Sequence, residues 1–213
     1  MKKLSFLVVC AALFGAWSGC NRYGKHVPGN ILEKLPYEAR IELLEAENDL
    51  AIAIDRVDEA HADMLRMREQ LRRGKDRLKE AEREVGAADD ANSKAIAQLA
   101  VTEGEARVEW LRARQRLNVR DQDLAALALQ CAQARFEQAR LTASRKAKLE
   151  GSESYDPKDF EAQVKACDAD YAEQKNEAKA LEKEAETARA AWEQTRSVLA
   201  KKTFDARASP FVE

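Results

Sequence analysis

From Leu43 onward, apolar residues return every seven positions. Leu43, Leu50, Val57, Met64, Leu71, Leu78 and Val85 share one core position, and Ala46, Ala53, Ala60, Met67, Gly74, Ala81 and Ala88 follow three residues later. This alternation of four and three is the a/d seam of a coiled coil. Large residues at a with alanine or glycine at d allow two helices to approach closely. Near Gly86 the frame changes, and eleven residues rather than seven separate Val85 from Ile96. A stutter in one continuous helix accounts for that step. So does a turn in which Gly86 follows a helix end and Asp89, Asn92 or Ser93 caps the next helix. The turn is favoured, because it yields segments of comparable length that bury each other's stripes within one chain.

The second segment carries its seam on Ile96, Glu103, Trp110, Leu117, Leu124, Cys131 and Gln138, with Leu99, Ala106, Ala113, Arg120, Leu127, Ala134 and Leu141. A turn-like Gly151-Ser152-Glu153-Ser154-Tyr155 then precedes Asp156-Pro157-Lys158-Asp159, a good helix start. Asp156 suits the cap, Pro157 the first helical position and Asp159 the positive end of the helix dipole. The third seam runs Val164, Tyr171, Ala178, Ala185, Trp192, Leu199, with Phe160, Cys167, Gln174, Leu181, Ala188 and Thr195. The expected fold class is all-α: long antiparallel coiled-coil helices in a three-helix bundle. The alternative is a very long first helix that meets a return helix as a hairpin. The expected boundaries are a removed signal over 1–19, a flexible tether over 20–35, a helical body over 36–205 (about 36–85, 93–146 and 157–204), and a frayed tail over 206–213. The tether, with Gly24, Pro28 and Gly29, would span roughly 20 Å as a random coil.

The first residues have a different pattern. Met1-Lys2-Lys3 is basic, Leu4 to Trp17 is apolar, and Ser18-Gly19-Cys20 follows at once. An apolar run of about 14 residues is too short to span a bilayer core, which takes about 20. Together these features read as an export signal that is later removed. The ending Ser18-Gly19-Cys20 resembles the lipobox of bacterial lipoproteins, although Trp17 stands where that family usually has an aliphatic residue. The resemblance implies diacylglycerol on Cys20, which becomes the first mature residue. Asn21, rather than Asp, after the cysteine implies the outer membrane. The long alanine-rich helices also resemble murein lipoprotein and other periplasmic coiled-coil lipoproteins in architecture. The chain ends Ser209-Pro210-Phe211-Val212-Glu213 without that protein's terminal lysine, so covalent wall attachment is not implied.

Composition adds little chemistry to this picture. Charged residues make up 35% of the chain and aromatics 6%. That balance suits long helices with a thin, alanine-rich core. Losing Lys2 and Lys3 with the signal takes the formal charge from -2 to -4. Acids and bases are interleaved without an arginine stripe or an aromatic platform, so no nucleic-acid partner is expected. Ion pairs at i,i+4 spacing, Glu69–Arg73 and Glu103–Arg107, are expected on exposed faces. Glu103, Arg120, Gln138 and Gln174 also fall on seam positions, where they fix register or leave the seam open to a partner. Trp110 and Trp192 are expected core anchors.

Cys10 leaves with the signal and Cys20 takes the lipid, so Cys131 and Cys167 remain. Both fall on core positions of antiparallel helices in a compartment that permits disulfides. A bond requires the second helix to end near Leu141 to Ser144; otherwise the two thiols are small buried hydrophobes. His26 and His61 lack partners at ligand spacing, so no metal or other cofactor is expected. The acids Asp55, Asp58, Glu59 and Asp63 read as a solvated face. No catalytic site is expected. The functional expectation is a lipid-anchored spacer, scaffold or adaptor that binds cell-envelope proteins, with homo-oligomerisation left open. The alternative is a periplasmic holding chaperone for outer-membrane proteins.

Overall fold

The computed structural model describes residues 23–203. The signal, Cys20 and the tail over 206–213 lie outside the described residues. In chain order the described elements are α1 (Gly29–Leu32), α2 (Tyr37–Ile41), α3 (Leu44–Ala87), α4 (Ala91–Lys146), a 3₁₀ turn (Ser152–Ser154) and α5 (Pro157–Thr203). The fold class is all-α, with long helices packed against one another. Among the described residues no helix is long and apolar enough to cross a membrane.

The break near Gly86 is a turn, which removes the continuous-helix alternative. It is not built as a glycine cap, because Gly86 stays inside α3 and lacks a positive φ. Asp90 rather than Asp89, Asn92 or Ser93 caps α4. Its Oδ1 accepts the backbone N–H of Asn92 at 2.8 Å and of Ser93 at 3.0 Å. These bonds, led by the Ser93 hydroxyl, hold the Asp90 carboxyl below its ordinary range. They satisfy backbone donors that a helix start leaves open.

The chain divides into two compact units. One comprises residues 51–129 and 169–203 of the described chain, parts of α3, α4 and α5. Contacts between Gly74 and Leu111, and between Leu78 and Gly104, set α3 antiparallel to α4. Ion pairs Arg116–Glu184 and Arg120–Glu177 do the same for α4 and α5. The core gathers Met67, Leu71, Val108, Trp110, Leu111 and Trp192. Leu111 is fully buried, although it lies off the expected seam of its helix. The middle helix meets two neighbours: its a/d seam carries Trp110 and Glu103 onto Trp192, and Gly104, Val108 and Leu111 turn toward α3.

The other unit comprises residues 23–50 and 130–168. Here the expected flexible tether needs correction. Tyr23, Val27, Ile31 and Leu35 are each buried, as are Ala39 and Leu43 beyond Pro36. Val27 and Ile31 pack with Leu141 and Phe160, and Leu35, Ala39 and Leu43 pack with Ala143. Burying these side chains, at about 1.5–3 kcal/mol for a large aliphatic, offsets part of the backbone entropy lost on ordering the segment. The helix expected from residue 36 is also interrupted, since Glu42 and Leu43 form a turn that seats Leu43 in this core.

α4 stops at Lys146 with Lys148 in the left-handed region, φ 52°. Leu149 N–H donates to Ser144 O and Lys148 N–H to Arg145 O, each at 3.0 Å, the bond pattern of a Schellman cap. The Arg145 guanidinium then holds the connection, donating to the carbonyls of Ser152, Glu153 and Tyr155. Asp156 accepts the Lys158 N–H at 3.0 Å and Pro157 opens α5, as the sequence indicated.

Candidate functional site

Of the expected site residues, Cys20 lies outside the described residues, and Cys131 and Cys167 form a disulfide with Cα atoms 5.5 Å apart. The helix ends at Lys146, as the boundary of about 93–146 expected, and two residues beyond the limit that the bond was expected to require. From Cys131 to Lys146 is about 22 Å of helix and from Pro157 to Cys167 about 15 Å at 1.5 Å per residue. The connection from Ala147 to Asp156 absorbs the difference. The disulfide closes a sequence separation of 36 residues. In the chain-entropy account, a loop of that size stabilises by about 4 kcal/mol.

The segment leading back toward Cys20 is held by long-range polar bonds in the same unit. Gln163 Oε1 accepts the Lys25 N–H at 2.9 Å and Glu137 Oε2 accepts the Val27 N–H at 2.8 Å. Lys25 Nζ also pairs with Asp159. Arg140 holds Glu137 in turn. These acceptors come from α4 and α5, so the segment is fixed on both helices.

On the same unit, Tyr37, Ile41 and Leu44 are 74%, 48% and 57% exposed. Tyr37 and Ile41 lie one turn apart on α2, and Leu44 opens α3. The apolar side of this segment is thus divided, with Leu35, Ala39 and Leu43 facing in and this trio facing out.

The other unit has two polar features. The first is buried. Trp192 Nε1–H donates to Glu103 Oε1 at 2.5 Å, and Trp110 stacks on Trp192 with centroids 4.6 Å apart. Arg107 lies over the Trp192 ring at 5.4 Å and Arg196 at 5.6 Å, within cation–π range. Glu103 and Arg107 are 8% and 7% exposed, which corrects the expectation of a surface pair. Burial, followed by the charge of Arg107, pulls the Arg77 guanidinium below its ordinary pKa, against the opposing pull of Glu103 and Glu80. Arg77, Arg107 and Arg196 were not foreseen as members of this cluster. The available signal was Glu103 itself, since a carboxylate on a seam requires donors from the facing helices. The Glu69–Arg73 pair is on the surface as expected, at 2.8 Å.

The second feature is an open groove of about 460 Å³, lined in part by Arg56, Glu59, Asp63, Asp121, Lys175 and Glu182. Glu59 and Asp63 of the expected acidic face fall here. Burial raises the Asp121 carboxyl, Glu182 and Asp63 raise it further, and Arg114 opposes them. His61 and Gln122 face each other at 3.4 Å, while His26 lies 3.4 Å from the Gly24 carbonyl. Among the described residues no group of three or more His, Cys, Asp or Glu side chains is placed to hold a metal. The groove's mixed charge suits docking of a polar segment better than acid–base chemistry, which needs water excluded. No family model, curated protein or solved structure matches the chain.

Proposed function

We propose that the chain is a lipid-anchored lipoprotein of the cell envelope, acylated at Cys20 and facing the periplasm from the outer membrane. Its helical body acts as a spacer, scaffold or adaptor for other envelope proteins. The observation that carries this reading is the apolar run of Leu4 to Trp17 closing on Ser18-Gly19-Cys20. The Cys131–Cys167 disulfide supports it, because such bonds persist in oxidising compartments beyond the cytoplasm. Helix faces and an open mixed-charge groove are natural docking surfaces for partner helices.

The test is cross-linking in cells followed by pull-down of the tagged protein, beside a Cys20→Ala control. A few stoichiometric envelope proteins, weakened or lost in the control, are the expected result. A broad set of unfolded outer-membrane proteins, unchanged in the control, would replace the scaffold with a holding chaperone.

A further inference from the structure

A lipid on Cys20 is joined to the folded body through very little chain. Tyr23 is 6% exposed, and Lys25 and Val27 are bonded through their backbone N–H groups to Gln163 and Glu137. Three peptide links separate Cys20 from Tyr23, and three extended residues reach at most about 11 Å. The headgroup layer of a bilayer leaflet is itself about 5–8 Å thick. A body held so short cannot stand clear of the membrane. The unit holding Tyr23 therefore has to meet the headgroups with one of its faces.

That unit offers an apolar face. Tyr37, Ile41 and Leu44 project from α2 and the start of α3 at spacings of four and three, and all three are substantially exposed. Tyr37 and Ile41, four apart on α2, share one side of that helix, and Leu44 opens α3 just beyond the Glu42–Leu43 turn. Their chemistry matches an interface, with two aliphatic side chains to enter the acyl boundary and a tyrosine whose hydroxyl stays among the headgroups. Continued exposure to water leaves them unsatisfied, whereas a lipid surface held within reach covers them without a further protein partner.

We infer that the Tyr37–Ile41–Leu44 face is a membrane seat: it lies against the lipid headgroups of the bilayer that holds Cys20 and fixes the body there. This inference rests on the lipid-anchor reading above. It replaces a swinging tether with a fixed seat, so the protein presents a set face to its partners.

The experiment uses the mature, lipidated protein carrying Ile41→Cys labelled with an environment-sensitive fluorophore. It is reconstituted in vesicles of phosphatidylethanolamine and phosphatidylglycerol, with or without headgroup-spin-labelled lipid. The mass of the purified protein first reports whether Cys20 is acylated. The expected result is a blue-shifted emission that falls by about half or more with the spin-labelled lipid, as an interfacial helix face requires. Adding Tyr37→Asp and Leu44→Asp, both solvent-facing and so compatible with folding by circular dichroism, should abolish the quenching. An acylated protein whose label stays unquenched overturns the seat and leaves the anchor standing. A protein without acyl chains overturns both.

Discussion

Glu103 shows how much one seam residue holds. Its carboxylate receives the Trp192 indole N–H, and Arg107, equally buried one helical turn on, lies over the same indole ring. Removing the carboxylate leaves that buried N–H without its acceptor. Glu103→Leu is expected to cost about 3 kcal/mol in urea unfolding, because the buried indole N–H loses its acceptor and the Arg77 guanidinium loses a favourable charge. Glu103→Gln should cost about 1 kcal/mol, since the amide oxygen still accepts from the indole. Equal costs for the two would show that the indole acceptor is not what matters there, since both variants remove the charge. Asp121 works in the opposite direction. Its pKa is raised in the folded chain, so the native state binds more protons than the unfolded one between the ordinary carboxyl value and the raised one. Stability therefore falls as pH rises through that window, and the cost persists at neutral pH. Asp121→Asn should raise the melting temperature at neutral pH and lose that advantage near pH 3.

At the scale of elements, the end of α4 is built against the preference of its own residue. Lys148 takes the left-handed conformation that glycine adopts without penalty. Lys148→Gly is expected to stabilise by about 1 kcal/mol, read from the denaturant midpoint, because a side chain in this region is strained. The residue offers no hint of this in the sequence, where the turn signal sits three residues on at Gly151. The a/d seams were legible, and Ala53, Met64, Met67, Leu71, Gly74 and Ala81 of α3 are all buried. The second face of α4 was not, because a heptad template follows one stripe and a central helix needs two. Leu111 and Val108 are buried by position between α3 and α5, which sequence spacing alone does not reveal. The N-terminal segment was missed for a different reason. Tyr23, Val27, Ile31, Leu35, Ala39 and Leu43 recur every fourth residue and all are buried. Gly24, Pro28, Gly29 and Pro36 punctuate that period, and their flexibility signal masked it.

For the whole molecule, the consequence of two cores is unequal dependence on the disulfide. Cys131 and Cys167 belong to the unit built around Val27, Ile31, Leu141 and Phe160. The other unit is held by the stacked tryptophans and their aliphatic neighbours. Reduction is expected to cost about 4 kcal/mol in the first unit by restoring loop entropy to its unfolded chain. Proteins open in local cooperative units, so the loss should be regional. Hydrogen exchange on the reduced protein should show amide protection falling around Leu141 and Phe160 while Leu111 and Trp192 keep theirs. A uniform fall would mean that the two cores unfold as one. The proposed anchor rests on the first twenty residues alone, and no partner is legible, since helix surfaces carry no partner's name.

The crossing at Gly74 has a consequence for how this sequence can drift. A methyl group placed there would sit 2.8 Å from Leu111 Cδ1, so the fully buried Leu111 would have to shift. Elsewhere along that seam alanine is the resident at every position but Met67. Exchange at Gly74 therefore depends on order. Leu111→Val opens a small void that the chain can tolerate, and Gly74→Ala can then fill it. Taken in the reverse order, the first step collides. Two neutral-looking replacements are joined into a one-way path, along which Gly74→Ala would be expected only in related chains that also carry Leu111→Val.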